Sequence, residues 1–333
     1  MNIKDFSIFP MLWGPKPAQP SELIELATHA ERLGFYSFTI PHVPILPYAE
    51  ERPPDGWIWK HIPAEFKDYQ FDALVLLPML AQATRSIRIG FNVVVTPWLH
   101  PFVWAKYMAS LDVAAQGRVI AGFGLGHAAK GGPTKALDNI GISGAKRGRM
   151  SDEALEFITR LWTEEGLVSF EGEYFHGHDL VVSPKPLQKP YPEVWWAGVA
   201  KPSIRRAAQY GSLLEVTLPS VSKVRDEYVP QLAEANELYG GNARLGMMIH
   251  GWVRDSGFSS KEDLSQYFFG WEGERLEPIA AGNAEQCADV IRRYRDAGMQ
   301  HFVIDFHRHG LDHVGVFHDQ MERWTNDVLP LLG

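Results

Sequence analysis

At 333 residues, the chain is long enough for two ordinary domains or for one large α/β barrel. Its hydrophobic fraction of 45% and charged fraction of 22% are those of a globular protein with a substantial core, which excludes a disordered chain. A formal net charge of -8 provides no basic surface for nucleic acid or for an acidic membrane, so we expect a small-molecule ligand.

The sequence predicts a cytoplasmic protein. The segment Met1–Asp5 lacks the charged, apolar and small-residue regions of a signal peptide. Apolar runs such as Ala73–Ala81 fall far short of the roughly 20 residues that cross a bilayer. We therefore expect neither export nor membrane insertion.

Short β-rich apolar runs alternate with longer helical patterns along the whole chain. This alternation is typical of βαβ units around a parallel sheet, and eight such units favour closure into a (β/α)8 TIM barrel. We find no internal repeat or linker, which predicts a single domain over residues 1–333. The predicted strands are Phe6–Leu12, Tyr36–Ile40, Ile87–Val95, Arg118–Gly122, Val194–Ala197, Leu214–Leu218, Leu245–Val253 and His301–Phe306.

Three predicted connections are longer than a minimal barrel needs, and long ordered loops are usually functional. They cover about residues 43–70 after strand two, 166–192 before strand five and 254–283 after strand seven. The second contains a run, Val168–Phe175, that resembles a small hairpin. The first and third are rich in aromatic residues, and we expect Trp57, Trp59 and Trp271 to bind an apolar or aromatic substrate.

The first candidate active-site residue is His42, which follows the second predicted strand. Active sites of such barrels form at the carboxyl ends of the strands. An imidazole there can serve as general acid or base near neutral pH. A histidine that only caps the loop structure is the alternative.

The end of the third strand and the loop after the fourth give further candidates. Phe91, Asn92 and Val93 form an apolar wall with one amide, which suits a flat conjugated ring and equally suits barrel packing. His100 follows shortly after this wall. Gly124 lies in a glycine-rich stretch that permits close approach of a ligand to the backbone, with a tight turn as the alternative. The spacing lacks the glycine pattern of a dinucleotide-binding fingerprint.

The turn after the fifth strand is the best candidate phosphate site. The helix that follows has Pro202 in its first turn, so its free backbone N–H groups could hold an anion. A plain capped helix with a solvated basic face remains the alternative. The residues concerned are Gly198, Val199, Ala200, Lys201 and Ser203, with Arg205 as a further candidate cation.

A metal site is the weakest candidate. His307 and His309 after the eighth strand resemble a metal-binding pair, but a barrel hydrolase needs further ligands from other strands. We expect no metal. The motifs of serine hydrolases, zincins and P-loop enzymes are absent from the sequence.

Taken in order, several motifs resemble the bacterial luciferase-like family of flavin- and deazaflavin-dependent oxidoreductases over nearly the whole chain. Each motif alone is weak, but the ordered set is quite specific. The matching segments are Glu31–Phe35 leading to His42, Ala83–Gly90 leading to Val95, His100–Pro101, Leu111–Asp112, Gly117–Arg118, Arg147–Arg149, Asp152–Leu155, Phe170–Tyr174, Pro184–Pro186, Trp195–Gly198 and Arg205–Ala208.

The resemblance implies a barrel, often dimeric, that binds a flavin-type ring across the strand ends. His42 then corresponds to the family's active-site histidine, and Phe91–Val93 to the segment behind the ring, which often contains a non-prolyl cis peptide. Val199, Ala200 and Ser203 correspond to the phosphate-binding turn, and we expect His100 and Gly124 to contact the cofactor as well. This sequence departs from the family pattern in two places, so we expect its pocket to differ from those of other members. Phe91 and Asn92 replace a common Thr-Gly, and Val103 and Leu125 stand where luciferases have two phosphate-binding arginines.

The leading functional expectation is a monooxygenase that uses reduced FMN and O2, with His42 managing a proton and a separate reductase as a possible partner. The alternative is a reductase or dehydrogenase that uses the deazaflavin coenzyme F-420 and transfers hydride. Two hypotheses from other functional classes remain: a metal-dependent barrel hydrolase and a non-catalytic flavin-binding protein.

Overall fold

Eight parallel strands close into a barrel in the computed structural model, which describes residues 1–10, 18–42, 71–126, 137–267, 272–306 and 314–333. The ring runs β10-β12-β1-β2-β3-β5-β8-β9 and returns to β10, which confirms the predicted TIM barrel. In chain order the strands are β1 Phe6–Ile8, β2 Ser37–Ile40, β3 Arg88–Phe91, β4 Val94–Val95, β5 Val119–Gly124, β6 Val168–Glu171, β7 His176–Leu180, β8 Glu193–Ala197, β9 Leu213–Thr217, β10 Arg244–Val253, β11 Ile279–Gly282 and β12 His301–Asp305.

Helices alternate with these strands and cover the outside of the barrel. Typical end signals bound them: Pro20 opens the first, and Gly34 closes it with φ of 89°, a left-handed conformation that suits glycine. None of the described helices is long and apolar enough to cross a membrane. The helices of seven or more residues are α1 Pro20–Leu33, α2 Ala73–Ala83, α3 Pro101–Ala114, α4 Arg147–Thr163, α5 Lys201–Tyr210, α6 Val229–Tyr239, α7 Lys261–Tyr267, α8 Ala284–Asp296 and α9 Val314–Arg323.

The third predicted strand, Ile87–Val95, is wrong in one respect: it is two strands. The Asn92–Val93 peptide is cis, and the ladder breaks there, so β3 ends at Phe91 and β4 begins at Val94. The first predicted strand is also too long, since β1 ends at Ile8. The fourth is too short, since β5 continues to Gly124.

The long connections have structure of their own. The run before the fifth barrel strand forms an antiparallel hairpin of β6 and β7, as predicted, although its second strand begins only at His176. The connection 254–283 contains α7 and β11, and β11 pairs in parallel with β10. This strand was not predicted. The connection 43–70 lies outside the described residues.

The barrel interior contains its own apolar cluster. Neighbouring parallel strands pair Trp195 with Leu213 and Met248 with Val303, and residues two apart on a strand face the same side. Leu213 and Val303 belong to this cluster, so Glu215 and Asp305, each two residues further along, point inward near the carboxyl ends of β9 and β12. The cluster consists of Phe9, Ile120, Trp195, Leu213 and Val303.

Candidate active site

His42 lies just beyond the end of β2 and is only 2% exposed. Its ring makes edge contacts with Phe91, at 5.8 Å between ring centres, and with Trp104 of α3, at 5.6 Å. Its Nε2 atom lies 3.7 Å from Oδ1 of Asp72, the residue that caps the start of α2. The histidine ring is therefore packed between two aromatic side chains and has one carboxylate neighbour.

The electrostatics of His42 favour a neutral ring near pH 7. Burial lowers its pKa, and the negative charge of Asp72 only partly opposes this effect. Neither Nδ1 nor Nε2 has a hydrogen-bond partner among the residues that the structure describes. Buried polar atoms are nearly always hydrogen-bonded, so these two nitrogens make His42 a candidate contact for a bound ligand.

The segment Phe91–Val93, which was predicted to lie behind a flavin-type ring and is named the ring wall, lies next to His42 and has two distinct faces. The side chain of Phe91 belongs to the outer aromatic cluster with His42, Trp104 and Tyr107. Asn92 is also buried, but its side chain reaches across the barrel end to Glu215. The amide of this wall, and not the Phe91 ring, therefore faces the barrel interior.

Two glycines of β5 allow the wall to pack closely. A β-carbon at Gly122 would collide with the carbonyl oxygen of Phe91, and one at Gly124 would lie 2.6 Å from Cγ2 of Val93. The tight turn considered for Gly124 is wrong, since Gly124 is the last residue of β5. Val93 occupies the space where a side chain of this residue would lie, and the predicted contact of Gly124 with a ligand stays a prediction.

Glu215 is a candidate site residue that sequence reasoning missed. It is 2% exposed on β9 and accepts a 2.7 Å hydrogen bond from Nδ2 of Asn92. Burial raises its pKa to about 7, although the Asn92 hydrogen bond acts in the opposite direction. A signal was available, since a lone acidic residue interrupts the apolar run Leu213–Val216.

A second buried pair at the same end was also missed. Nδ1 of His250 on β10 lies 3.3 Å from Oδ2 of Asp305 on β12, and the strand register places these residues side by side. Both are almost fully buried. The partners are 55 positions apart, so nothing local in the sequence pairs them. This end of the barrel therefore contains further buried acidic and basic side chains besides His42.

The predicted phosphate turn connects β8 to α5. Gly198 has φ of 144°, a value that side-chain-bearing residues rarely adopt, and a β-carbon there would lie 2.5 Å from Oγ of Ser203. Val199 and Lys201 are exposed, Ser203 is buried, and Ala200 is the residue before the helix. The positive end of a ten-residue helix with a lysine at its start suits an anion.

Arg205 does not belong to this turn. Its guanidinium lies 2.6 Å from Oδ1 of Asp152 on α4, and Arg206 binds the same carboxylate. The two arginines therefore join α5 to α4, which leaves Lys201 as the better candidate cation.

His100 has the described contacts of a structural residue. It is exposed, its Nδ1 accepts a hydrogen bond from the backbone of Phe102 at the start of α3, and its ring packs against Phe157 and Phe175. Its predicted cofactor contact stays a prediction. Trp57, Trp59, Trp271, His307 and His309 lie outside the described residues, within which no group of three or more histidine, cysteine or acidic side chains is arranged to hold a metal ion.

Comparisons with known proteins identify what this chain resembles. The family model of luciferase-like monooxygenases matches residues 10–270. An F420-dependent glucose-6-phosphate dehydrogenase from Kineococcus radiotolerans is 25% identical and aligns over 94% of this chain and 93% of its own length. The oxygenase component of a flavin-dependent trigonelline monooxygenase from Acinetobacter baylyi is 29% identical over 75% of this chain and 78% of its own length. The structure of monooxygenase RslO1 from Streptomyces bottropensis shares the fold, with a TM-score of 0.79 and 19% identity over 98% of this chain and 99% of its own.

Proposed function

Because this chain belongs to the luciferase-like monooxygenase family of oxidoreductases, we propose that it is a flavin-dependent monooxygenase that uses reduced FMN and O2. Its substrate is a small apolar or aromatic molecule. The observation that carries the proposal is the buried imidazole of His42, whose two nitrogens have no partner among the described residues. A ligand seated at this rim would satisfy them.

The residues at the carboxyl end of the barrel fit a flavin-type cofactor. The buried Asn92 provides a wall for the ring, and the turn between Gly198 and Ser203 provides the start of α5 and Lys201 for the phosphate. When bound, reduced FMN supplies the electrons that activate O2. The protein supplies position and a site from which water is excluded.

His42 has the role of proton carrier in this proposal. A neutral imidazole accepts a proton at one nitrogen and can return it, and the nearby carboxylate of Asp72 stabilises the protonated ring. The packing of His42 against Phe91 and Trp104 fixes the plane of the ring, so its nitrogens keep one direction. Trp57, Trp59 and Trp271 are proposed to line the substrate side of the pocket.

A second candidate function is a dehydrogenase or reductase that uses coenzyme F-420. It is favoured by the relative from Kineococcus radiotolerans, which aligns over 94% of this chain, whereas the trigonelline monooxygenase component aligns over 75%. His42 and the phosphate turn serve either cofactor. The two functions differ in whether O2 is a substrate.

The products separate these functions, because free reduced FMN also consumes O2 as it reoxidises to FMN and H2O2. The purified protein is supplied with reduced FMN from a flavin reductase and screened against apolar and aromatic compounds, and the oxygenated product and the accompanying fall in H2O2 yield are recorded. Product formation that falls in His42→Gln supports the monooxygenase. Reduction of F-420 by an alcohol or sugar phosphate, without an oxygenated product, contradicts it.

Two partners belong to the proposal. One is a separate reductase, as expected for an oxygenase component. The other is a second copy of the chain, which would cover the exposed apolar residues Val75 and Met79 of α2 and Val103 of α3. Light scattering tests the homodimer: wild-type protein gives twice the chain mass, and Val75→Glu lowers it. A monomeric wild type contradicts the dimer.

A further inference from the structure

We propose that Glu215 is a positioning residue whose carboxyl group fixes the side-chain amide of Asn92, from a point on β9 where the backbone also receives Gly198 of the phosphate turn. This inference rests on the proposed function, since it concerns the same site. It assigns a role to a strand carboxyl group that neither touches His42 in the described contacts nor belongs to the matching motifs.

The ends of β2, β3, β8 and β9 are linked through two residues, Glu215 and Asn92. Oε2 of Glu215 accepts a 2.7 Å hydrogen bond from Nδ2 of Asn92, while its backbone oxygen accepts a 3.0 Å hydrogen bond from the backbone nitrogen of Gly198. The backbone nitrogen of Asn92 donates to the carbonyl oxygen of Ile40, two residues before His42. The ring wall, the phosphate turn and the histidine strand therefore meet at Glu215 and Asn92.

The strand neighbours of Glu215 are apolar. Glu215 lies two residues after Leu213 of the interior cluster, and its partners on the neighbouring strands are Ala197 and Gly246. A buried carboxyl group costs stability unless it is satisfied, and an apolar residue of similar size would pack at least as well. A purely structural role therefore does not explain an acidic residue here, whereas fixing the amide of Asn92 does.

The protonation of Glu215 controls how firmly Asn92 is held. Burial raises the pKa of this carboxyl group to about 7, so its charge changes within the physiological range. A hydrogen bond to an ionised acceptor is about twice as strong as one to a neutral acceptor. The Asn92 side chain is therefore held more firmly above pH 7 than below it.

Other groups at this end of the barrel also carry charge or titrate, so the effect of Glu215 is isolated by comparing variants and not by one pH profile. They are His42, Asp72, His250, Asp305, Lys201, Arg205 and Arg206. All of them are the same in the proteins compared below, and the titration of the cofactor cancels in the same comparison.

The test is a set of dissociation constants for FMN and for F-420 between pH 5.5 and 8.5. Each is measured by the change in cofactor fluorescence when the cofactor binds to the protein. At pH 8, Glu215→Leu should bind about tenfold more weakly, because Nδ2 of Asn92 loses its acceptor. Relative to Glu215→Gln, wild-type affinity should rise as the pH passes through 7. Glu215→Leu in an Asn92→Ala background should have no further effect, since the residue acts through Asn92.

The matched control is Glu193→Gln. Glu193 is also a largely buried strand carboxylate that accepts hydrogen bonds, from Tyr36 and Trp195, but it lies at the opposite end of the barrel. It should leave affinity and its pH profile unchanged. If Glu215→Leu does not fold, the Glu215→Gln profile decides alone.

The possible failures are distinguishable. Wild-type protein that is folded but binds neither cofactor overturns the proposed function, and this inference with it. Only the role of Glu215 is overturned if the wild-type protein binds a cofactor and Glu215→Gln shows the same pH profile as wild type. Where Glu215→Leu folds, the same outcome requires its affinity to lie within twofold of wild type.

Discussion

Oδ1 of Asp72 lies 3.7 Å from Nε2 of His42, although 29 residues separate the two in the chain. The same Oδ1 atom accepts a 2.7 Å hydrogen bond from the backbone nitrogen of Leu74 and so caps α2. One carboxylate therefore both starts a helix and opposes the effect of burial on the histidine.

Asp72→Asn should lower the pKa of His42 while leaving the fold intact. Asparagine caps a helix about as well as aspartate, so stability should change little. Loss of the negative charge removes the interaction that raises the histidine pKa, and burial then acts unopposed. Because Asp72 is half-exposed, the shift should be modest. Chemical-shift titration of the His42 ring checks this, and an unchanged or raised pKa contradicts the pairing.

His42→Gln should reduce turnover by roughly 10²-fold or more, as expected when a general acid or base is removed. Glutamine retains hydrogen-bonding groups but cannot carry a proton, so cofactor affinity should remain within a few-fold of wild type. The measurement is kcat at saturating cofactor. A matched control is His29→Gln, since His29 is also buried but lies on α1 against His318. Equal losses in both variants would indicate general destabilisation and not a role in proton transfer.

Glu215 should make stability fall as the pH rises through the acidic range. Its pKa is about 7 in the fold against 4.5 for the ordinary group, so between these values the native state holds a proton that the unfolded state has lost. The free energy of unfolding therefore decreases with rising pH, by about 3 kcal/mol in total. Glu215→Gln removes this loss and should gain about 2–3 kcal/mol relative to wild type between pH 5 and pH 8. Urea unfolding at both pH values measures it, and a pH-independent difference would refute the raised pKa.

Gly122→Ala should destabilise the protein by about 2–3 kcal/mol, because a β-carbon there meets the backbone oxygen of Phe91 and the wall must shift. Cofactor affinity should fall as well. Gly148→Ala is the matched control: it lies in the first turn of α4, where a β-carbon contacts only the end of Arg206 at 3.7 Å, so it should be neutral or slightly stabilising. Thermal unfolding compares the two, and equal effects would contradict the close packing at β5.

The barrel could be predicted from the sequence because its signals are local. Each barrel strand is a short apolar run followed by a helix with recognisable ends, and eight such units leave few other topologies. β11 was not predicted because its four residues, Ile279–Gly282, are mostly alanine and glycine, which have low strand preference. The break between β3 and β4 was not predicted for a different reason, since the sequence from Phe91 to Val95 has the pattern of one continuous strand.

Two motif residues that indicated the family, Glu31 and Glu153, join neighbouring elements of the fold. Glu31 accepts hydrogen bonds from the backbones of Arg85, Ser86 and Ile87 and thereby joins α1 to the loop before β3. Glu153 binds the backbone of the turn between β6 and β7 in the same way. Such contacts explain why the ordered set marks a fold more securely than it marks a reaction.

The candidate site was predictable only where position along one strand sufficed. His42 and Asn92 follow directly from the ends of their strands. The partnerships of Asn92 with Glu215 and of His250 with Asp305 depend on which strands become neighbours across the barrel end, and pairing over such separations leaves no local pattern. Their recognition required the closed barrel.

The most direct test of the central claim is an anaerobic titration of the purified wild-type protein with reduced FMN and, separately, with F-420. The account predicts saturable binding of reduced FMN, weakened in Lys201→Gln because the phosphate turn loses its cation, and formation of an oxygenated product once substrate and air are admitted. Tight binding of F-420 with no binding of FMN would contradict it.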